Sequence, residues 1–294
     1  MIETEVLCAH RFFSLILAAA PLAAHPVQSG PEVVFDLERV GDGVYAALSR
    51  RPAPPAVSNT AFVVLEDGVL VVDSHMKPEA ATVLLREIAK VTDKPVRYLV
   101  QTHHHGDHVG GNPAFPGAID IIAHESTRQT LAQWNPTKAR LPNAVIRDGI
   151  TLFRGREVRI KFTGRGHTAG DLSVWLPADR ILIAGDLLFN GGYIGFMKDG
   201  FVGDWIATLD ALSELNPKTI VPGHGPLATP EDIRTFKAYL IAFRESVREH
   251  RARGESLEKA LETYRLPKAY RDWGMQDMAL KDNIRRVWEE LKSE

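Results

Sequence analysis

A single cysteine, Cys8, among 294 residues leaves no partner for an intrachain disulfide and no cysteine cluster to hold a metal. Neither sign of charge dominates. The 35 Lys and Arg stand against 37 Asp and Glu, a net charge of -2, which argues against a general binder of nucleic acid or another polyanion. No apolar run reaches the roughly 20 residues that a membrane-spanning helix needs. No short repeat or low-complexity segment is visible. With 45% hydrophobic and 24% charged residues, the mixture is that of a globular protein rather than a disordered or fibrous one.

The longest apolar run, residues 12–24, follows Arg11 and ends in Pro21-Leu22-Ala23-Ala24. It has the length and the small-residue end of a secretory leader, here assigned to residues 1–24. Glu3 and Glu5 make its start poorly basic, and an apolar core helix is the alternative reading. Cys8 precedes the run, so it is not placed as a lipoprotein cysteine would be. The expectation is an exported protein, periplasmic or secreted from a bacterium, with no stable membrane insertion once the leader is removed.

Beyond the leader the chain alternates strand and helix patterns. Residues 33–37 and 44–48 flank Gly41-Asp42-Gly43, and the run 61–73 folds about Asp67-Gly68; both read as hairpins. Helical spacing follows over 78–90, then strands over 96–100 and 119–123 and a helix over 125–134. The second half supplies strands at 158–162, 172–176, 181–184 and 219–221 and a helix at 204–215. Residues 50–56, RRPAPPA, read as a proline-rich loop. Two β-rich halves with helices attached predict two sheets packed face to face with helices outside. From Pro230 the pattern becomes helical, over 230–253, 256–264 and 282–292, as a cap on one edge of the sandwich.

What the sequence has in quantity is histidine, 11 residues. Residues 102–111 read THHHGDHVGG, with His103, His105, Asp107 and His108 in the spacing H-x-H-x-D-H. Imidazole nitrogens and carboxylate oxygens on a glycine-bearing loop after a strand suit a borderline divalent ion such as zinc. Three further segments, Gly166-His167-Thr168-Ala169-Gly170-Asp171, Gly185-Asp186 and Gly223-His224-Gly225, likewise set a ligand-type residue beside glycine. Each lies just past an apolar β run, so strand ends on one edge can bring all four loops to one rim.

In this order, these motifs resemble the metallo-β-lactamase superfamily over roughly residues 33–230. The resemblance implies an α/β fold, an αββα sandwich with the site on one edge, formed by residues 31–230. Residues 231–294 would then be a helical extension packed on the same domain. It implies that His103, His105 and His167 hold one metal, that Asp107, His108 and His224 hold a second, and that Asp186 bridges them. His104 falls at a variable position and is expected as a neighbour. Asp73, at the end of the hairpin strand, matches a carboxylate that orients the ligand loop.

The implied cofactor is two zinc ions, with iron or manganese as alternatives. The implied chemistry is attack on a carbonyl by a hydroxide shared between the ions, oriented by Asp107. Such a centre keeps a net positive charge, so the expected partner is a small anionic or carbonyl substrate. β-Lactam hydrolysis leads. Lactones, thioesters and other esters are alternatives, as is an iron-dependent oxidoreductase of the same fold. The cysteine-ligated lactamase group is excluded, because Asp186 stands where that group has its cysteine. The leader, Ser58-Asn59-Thr60 and the helical tail also look similar to exported metallohydrolases of quinoprotein relay systems. Asn190, Tyr193, Phe196 and Met197 are candidates for substrate contact, and His75 reads as a solvated histidine near the rim.

Overall fold

The computed structural model describes residues 35–50, 54–136 and 138–293. The leader expected over residues 1–24, Cys8 and part of the proline-rich loop lie outside the described residues.

Two sheets form the centre. The first has seven strands in the order β1 (Phe35–Gly41), β2 (Val44–Ser49), β3 (Thr60–Val64), β4 (Val69–Val72), β5 (Val96–Val100), β6 (Asp120–His124) and β7 (Ala144–Ile146). It is antiparallel through β4 and parallel from β4 to β7. The second has five strands in the order β12 (Thr219–His224), β11 (Ile181–Phe189), β10 (Leu172–Leu176), β9 (Glu157–Phe162) and β8 (Gly149–Phe153), with only β11 and β12 parallel.

Alternation along the strands decides which face meets what, because successive side chains point to opposite sides. In β4, Leu70 and Val72 face the second sheet, in one core with Ile160, Val174, Ile183 and Val221. Val69 and Val71 face the other way, onto Ala80, Leu84 and Ile88 of helix α1 (Pro78–Val91). β4 is therefore apolar at every position, as a strand covered on both faces must be.

The outer face of the second sheet, through Leu182, Ala184 and Ile220, packs on the remaining helices. The one-turn helix α2 (Gly106–Val109) and α3 (Glu125–Gln133) belong to the first half, and α4 (Val202–Glu214) to the second. The tail consists of α5 (Pro230–Ala252), α6 (Leu257–Thr263) and α7 (Gln276–Glu290). Trp205 and Leu209 of α4, Phe236 and Phe243 of α5, and Ile284 and Trp288 of α7 share one apolar cluster with that sheet face. The layers are thus helix, sheet, sheet, helix, as expected from the sequence. Among the described residues no helix is long and apolar enough to cross a membrane.

Several elements differ from the expected pattern. β7 and β8 were not anticipated, being short and half-exposed. β11 does not stop at Ala184 but runs through Gly185 and Asp186 to Phe189, with register shifts on either side of Gly185. Gly185 has φ +54°, and a Cβ there would lie 2.7 Å from Cβ of Thr102. The glycine is therefore an irregularity within the strand rather than its end. Helix α7 begins at Gln276, six residues before the first expected turn.

Candidate metal centre

The ends of β5, β10, β11 and β12 bring the histidine-bearing segments to one edge. β5 delivers Gln101 and Thr102, the chain turns through His103 and His104, and His105 takes the N-cap position of α2. α2 carries Asp107 and His108. It is tied down where Ser74 N and Oγ both donate to His108 O, at 2.8 and 3.1 Å. His167 precedes β10 and packs edge-on against Trp205, ring centroids 5.5 Å apart. Asp186 lies in β11, and parallel pairing sets Phe189 of β11 beside His224 at the end of β12. The two rings stack at 5.2 Å and 2°.

Three groups of ligand-type atoms result, each drawn within 4.8 Å: His103, His105, His167 and Asp186; Asp107, His108 and His224; and His104, His105 and Asp199, which shares His105 with the first. In the first, His105 Nδ1 and His167 Nε2 are 2.8 Å apart, and His167 Nε2 is 3.2 Å from Asp186 Oδ2. In the second, Asp107 Oδ2 is 3.2 Å from His224 Nε2 and 3.5 Å from His108 Nε2. Asp186 divides its oxygens between them, since Oδ1 is 3.1 Å from His108 Nε2 and 3.4 Å from His224 Nε2.

These residues fit divalent cations. His103 Nε2, His108 Nε2 and Asp186 Oδ1 are buried without a well-formed hydrogen bond. Buried polar atoms almost always have partners, so three such atoms aimed at common points call for a ligand. A histidine and carboxylate donor set suits zinc and related first-row ions.

Electrostatics separates the first two groups. Burial pulls His103 well below the ordinary imidazole range, helped by the charge of His108. Burial also brings His167 down to about 3. Both therefore present bare lone pairs at neutral pH. In the second group burial acts the same way but is outweighed: Asp186, Asp107 and Asp73 hold His108 well above its usual range, and Asp186 and Asp107 lift His224 to about 9. Burial disfavours the charged forms of Asp107 and Asp186, yet the nearby imidazoles hold both well below the usual carboxylate range. A cation entering the second group must displace protons.

Supporting residues fix the ligands. Asp73 accepts from Thr102 N and Thr102 Oγ1, both at 2.8 Å, and its Oδ2 lies 2.7 Å from His108 Nδ1. Ser58-Asn59-Thr60 stitches two loops together: Ser58 Oγ donates to Asp107 O, while Asn59 Nδ2 donates to Pro222 O and Gly225 O. Asp171, the last residue of the GHTAGD segment, accepts from Thr168 N and Thr168 Oγ1 and so closes the turn beside His167. At Gly223 a Cβ would lie 1.8 Å from Asp186 Oδ1, so only glycine fits against that carboxylate.

The other sequence candidates fall differently. Asn190 donates to Pro226 O and Leu227 O, and Tyr193 pairs with Gly274 of the tail. Neither is among the residues lining the cavity over the candidate metal ligands, whereas Phe196 is. Met197 is fully buried in the helical core. His75 is not solvated but 0% exposed, with Nδ1 donating to Ser58 O at 2.9 Å. It sits beneath the Ser58 loop and stacks on Phe35, which a polar D-S-H triplet gives no hint of.

His104 lies beside the ligands, 3.8 Å from Asp199 Oδ2. Sequence reading missed Asp199, whose Oδ2 is 3.0 Å from His105 Nε2, on the side of that ring away from His167. The imidazoles of His104 and His105 beside it hold the Asp199 carboxyl well below its usual range. In sequence, Lys198-Asp199-Gly200 looks like any polar turn.

The cavity over the ligands holds about 350 Å³. His105, Asp107, His167, Asp186 and His224 line it, together with side chains from α3, the loop after β11 and the tail.

Comparison with known proteins follows the same residues. The family model of the metallo-beta-lactamase superfamily matches residues 53–224. Among curated relatives, a type 2 metallo-beta-lactamase of Elizabethkingia meningoseptica is 28% identical over 67% of this chain and 80% of its own length. A beta-lactamase-like protein 2 homolog of Caenorhabditis elegans is 29% identical over 66% of this chain and 65% of its own length. The alpha subunit of a 2,4-dinitroanisole O-demethylase from Nocardioides is 30% identical over 54% of this chain, which spans half of that subunit. Among solved structures, a metallo-beta-lactamase from Pontibacter korlensis superposes with a TM-score of 0.64 at 24% identity, covering 70% of this chain and 99% of that one. DIM-1 metallo-beta-lactamase gives 0.63 at 22% identity, covering 73% and 99%.

Proposed function

The chain belongs to the metallo-β-lactamase superfamily of metal-dependent hydrolases, and from that premise we propose that it is a dinuclear zinc hydrolase acting on a carbonyl, with β-lactam-type amide cleavage as its leading reaction. The observation that carries the reading is the division of Asp186, one oxygen toward His167 and the other toward His108 and His224. A carboxylate so shared suits two ions rather than one.

His103, His105 and His167 would hold one ion, and Asp107, His108 and His224 the other. Zinc in such a site supplies Lewis acidity and brings the pKa of water toward neutrality. Asp107, 22% exposed at the cavity floor, would accept a hydrogen bond from the attacking water and orient it. Asp73 would hold the His108 ring through Nδ1, and Asp199 the His105 ring through Nε2. Lys198, also lining the cavity, would draw an anionic substrate toward the ligands. Residues 1–24 support export as the route to a periplasmic or secreted location, which N-terminal sequencing of the mature protein tests.

Metal analysis and a hydrolysis panel test the reaction. The purified protein should carry close to two equivalents of zinc and turn over at least one of a β-lactam, a lactone and a thioester. Asp107→Ala should lose about 100-fold or more in kcat/KM. Chelator-resistant turnover, or turnover undiminished in Asp107→Ala, would overturn the reading.

A further inference from the structure

Three segments far apart in sequence set apolar side chains around the mouth of the metal cavity. Trp134 comes from the end of α3, Phe196 from the loop after β11, and Met275 and Met278 from the start of α7. Trp134 is 62% exposed and Met278 67% exposed, although the same chain buries most of its other large apolar side chains. Large apolar surfaces held in water at the rim of a site do not serve the core; they mark a surface that is covered when the site is in use.

The backbone holds this wall in place. Met275 has φ 70° and ψ 9°, the left-handed conformation that non-glycine residues seldom take. Next to it, Gly274 N donates to Gly192 O at 2.7 Å, joining the tail to the loop after Asp186. The side chain of Asn283 makes two further bonds to that loop, at Gly195 O and Met197 N. The tail is thus fastened to the segment that follows a metal ligand, with its methionines over the cavity. Methionine adapts its shape to an apolar neighbour, and tryptophan offers a broad rigid face.

We infer that this wall is a specificity subsite, in which a substrate held by its carbonyl or carboxylate at the metal ligands lays an uncharged apolar arm between Trp134 and the Met275–Met278 pair. The identity of the reacting group rests on the hydrolase reading above; the binding of the arm does not.

Isothermal titration of the zinc-loaded full chain with acetate, butyrate, hexanoate and octanoate tests the subsite. Affinity should rise about twofold to fourfold for each methylene that enters the cavity. Trp134→Ala and Met278→Gln alter exposed positions, so both should fold, and each should flatten that dependence. An affinity independent of chain length, no binding by any member of the series, or an unaltered slope in both variants would overturn the inference. Turnover of the hydrolysis panel alongside a flat series would sink the subsite and spare the hydrolase. A steep series, flattened in the variants, without turnover of any panel member would sink the hydrolase and support the subsite.

Discussion

Asp73 Oδ2 lies 2.7 Å from His108 Nδ1, with both side chains buried. The contact fixes the tautomer and plane of a ring whose other nitrogen faces Asp107 and Asp186. The Asp73 backbone holds φ 62°, a conformation asparagine also tolerates. Asp73→Asn should therefore fold while setting an amide donor or a weaker acceptor against His108. Zinc affinity, measured by competition with a chromophoric chelator, should fall about 10- to 100-fold. An unchanged affinity would show that Asp73 serves the loop alone.

The site was more legible in the sequence than its surroundings. Ligand residues carry their chemistry in their identity, and H-x-H-x-D-H with three later segments contains all seven candidate ligands. The sandwich was legible too, since β4 and β10 to β12 are largely apolar and α1 has a clear amphipathic face. Asp199 was not legible, because a turn aspartate looks the same whether or not it meets a histidine 94 residues away. His75 was misread because burial depends on what folds over a polar triplet. The methionine wall was invisible for a similar reason: Met275 and Met278 reach the cavity only through tail contacts that no local pattern encodes.

His75 makes stability depend on pH. Burial lowers its pKa from 6.5 to about 4, against the raising effect of its hydrogen bond to Ser58 O. Between those values the unfolded chain binds a proton and the native chain does not, so stability rises with pH. The contribution is complete above about pH 6.5 and is lost as pH falls through 4, a change of about 3 kcal/mol. His75 holds φ 60°, which asparagine tolerates, so His75→Asn keeps the backbone and removes the titration. Its deficit relative to the wild type in urea unfolding should shrink by about that amount between pH 7 and pH 4. A constant gap across the range would refute the assignment.

Gly223 sets the position of Asp186. A methyl group at its Cβ position would lie 1.8 Å from Asp186 Oδ1 and 2.8 Å from Asp186 N, so the carboxylate must move. Displacing a reacting or ligating group by about 1 Å commonly costs about 100-fold in rate. Gly223→Ala should lose at least that factor in kcat/KM and bind less zinc. At Gly117 no atom lies within 4 Å of the added carbon, so Gly117→Ala should change neither. Retention of full activity and zinc content by Gly223→Ala would mean that β11 and β12 yield easily at this point.

Asn283 couples the tail to the site. Its side chain is fully buried, accepting from Met197 N at 2.8 Å and donating to Gly195 O at 2.9 Å. Asn283→Ala leaves both backbone groups buried without a partner, at a cost of about 2–5 kcal/mol. The ligands themselves lie on other segments, so zinc stoichiometry should be unchanged. The loop that carries Phe196 and Lys198 should loosen, raising KM more than it lowers kcat and speeding proteolysis within residues 190–200. Loss of zinc together with activity would instead mean that the tail supports the ligand cluster directly. Lowered stability with unaltered KM would confine Asn283 to packing.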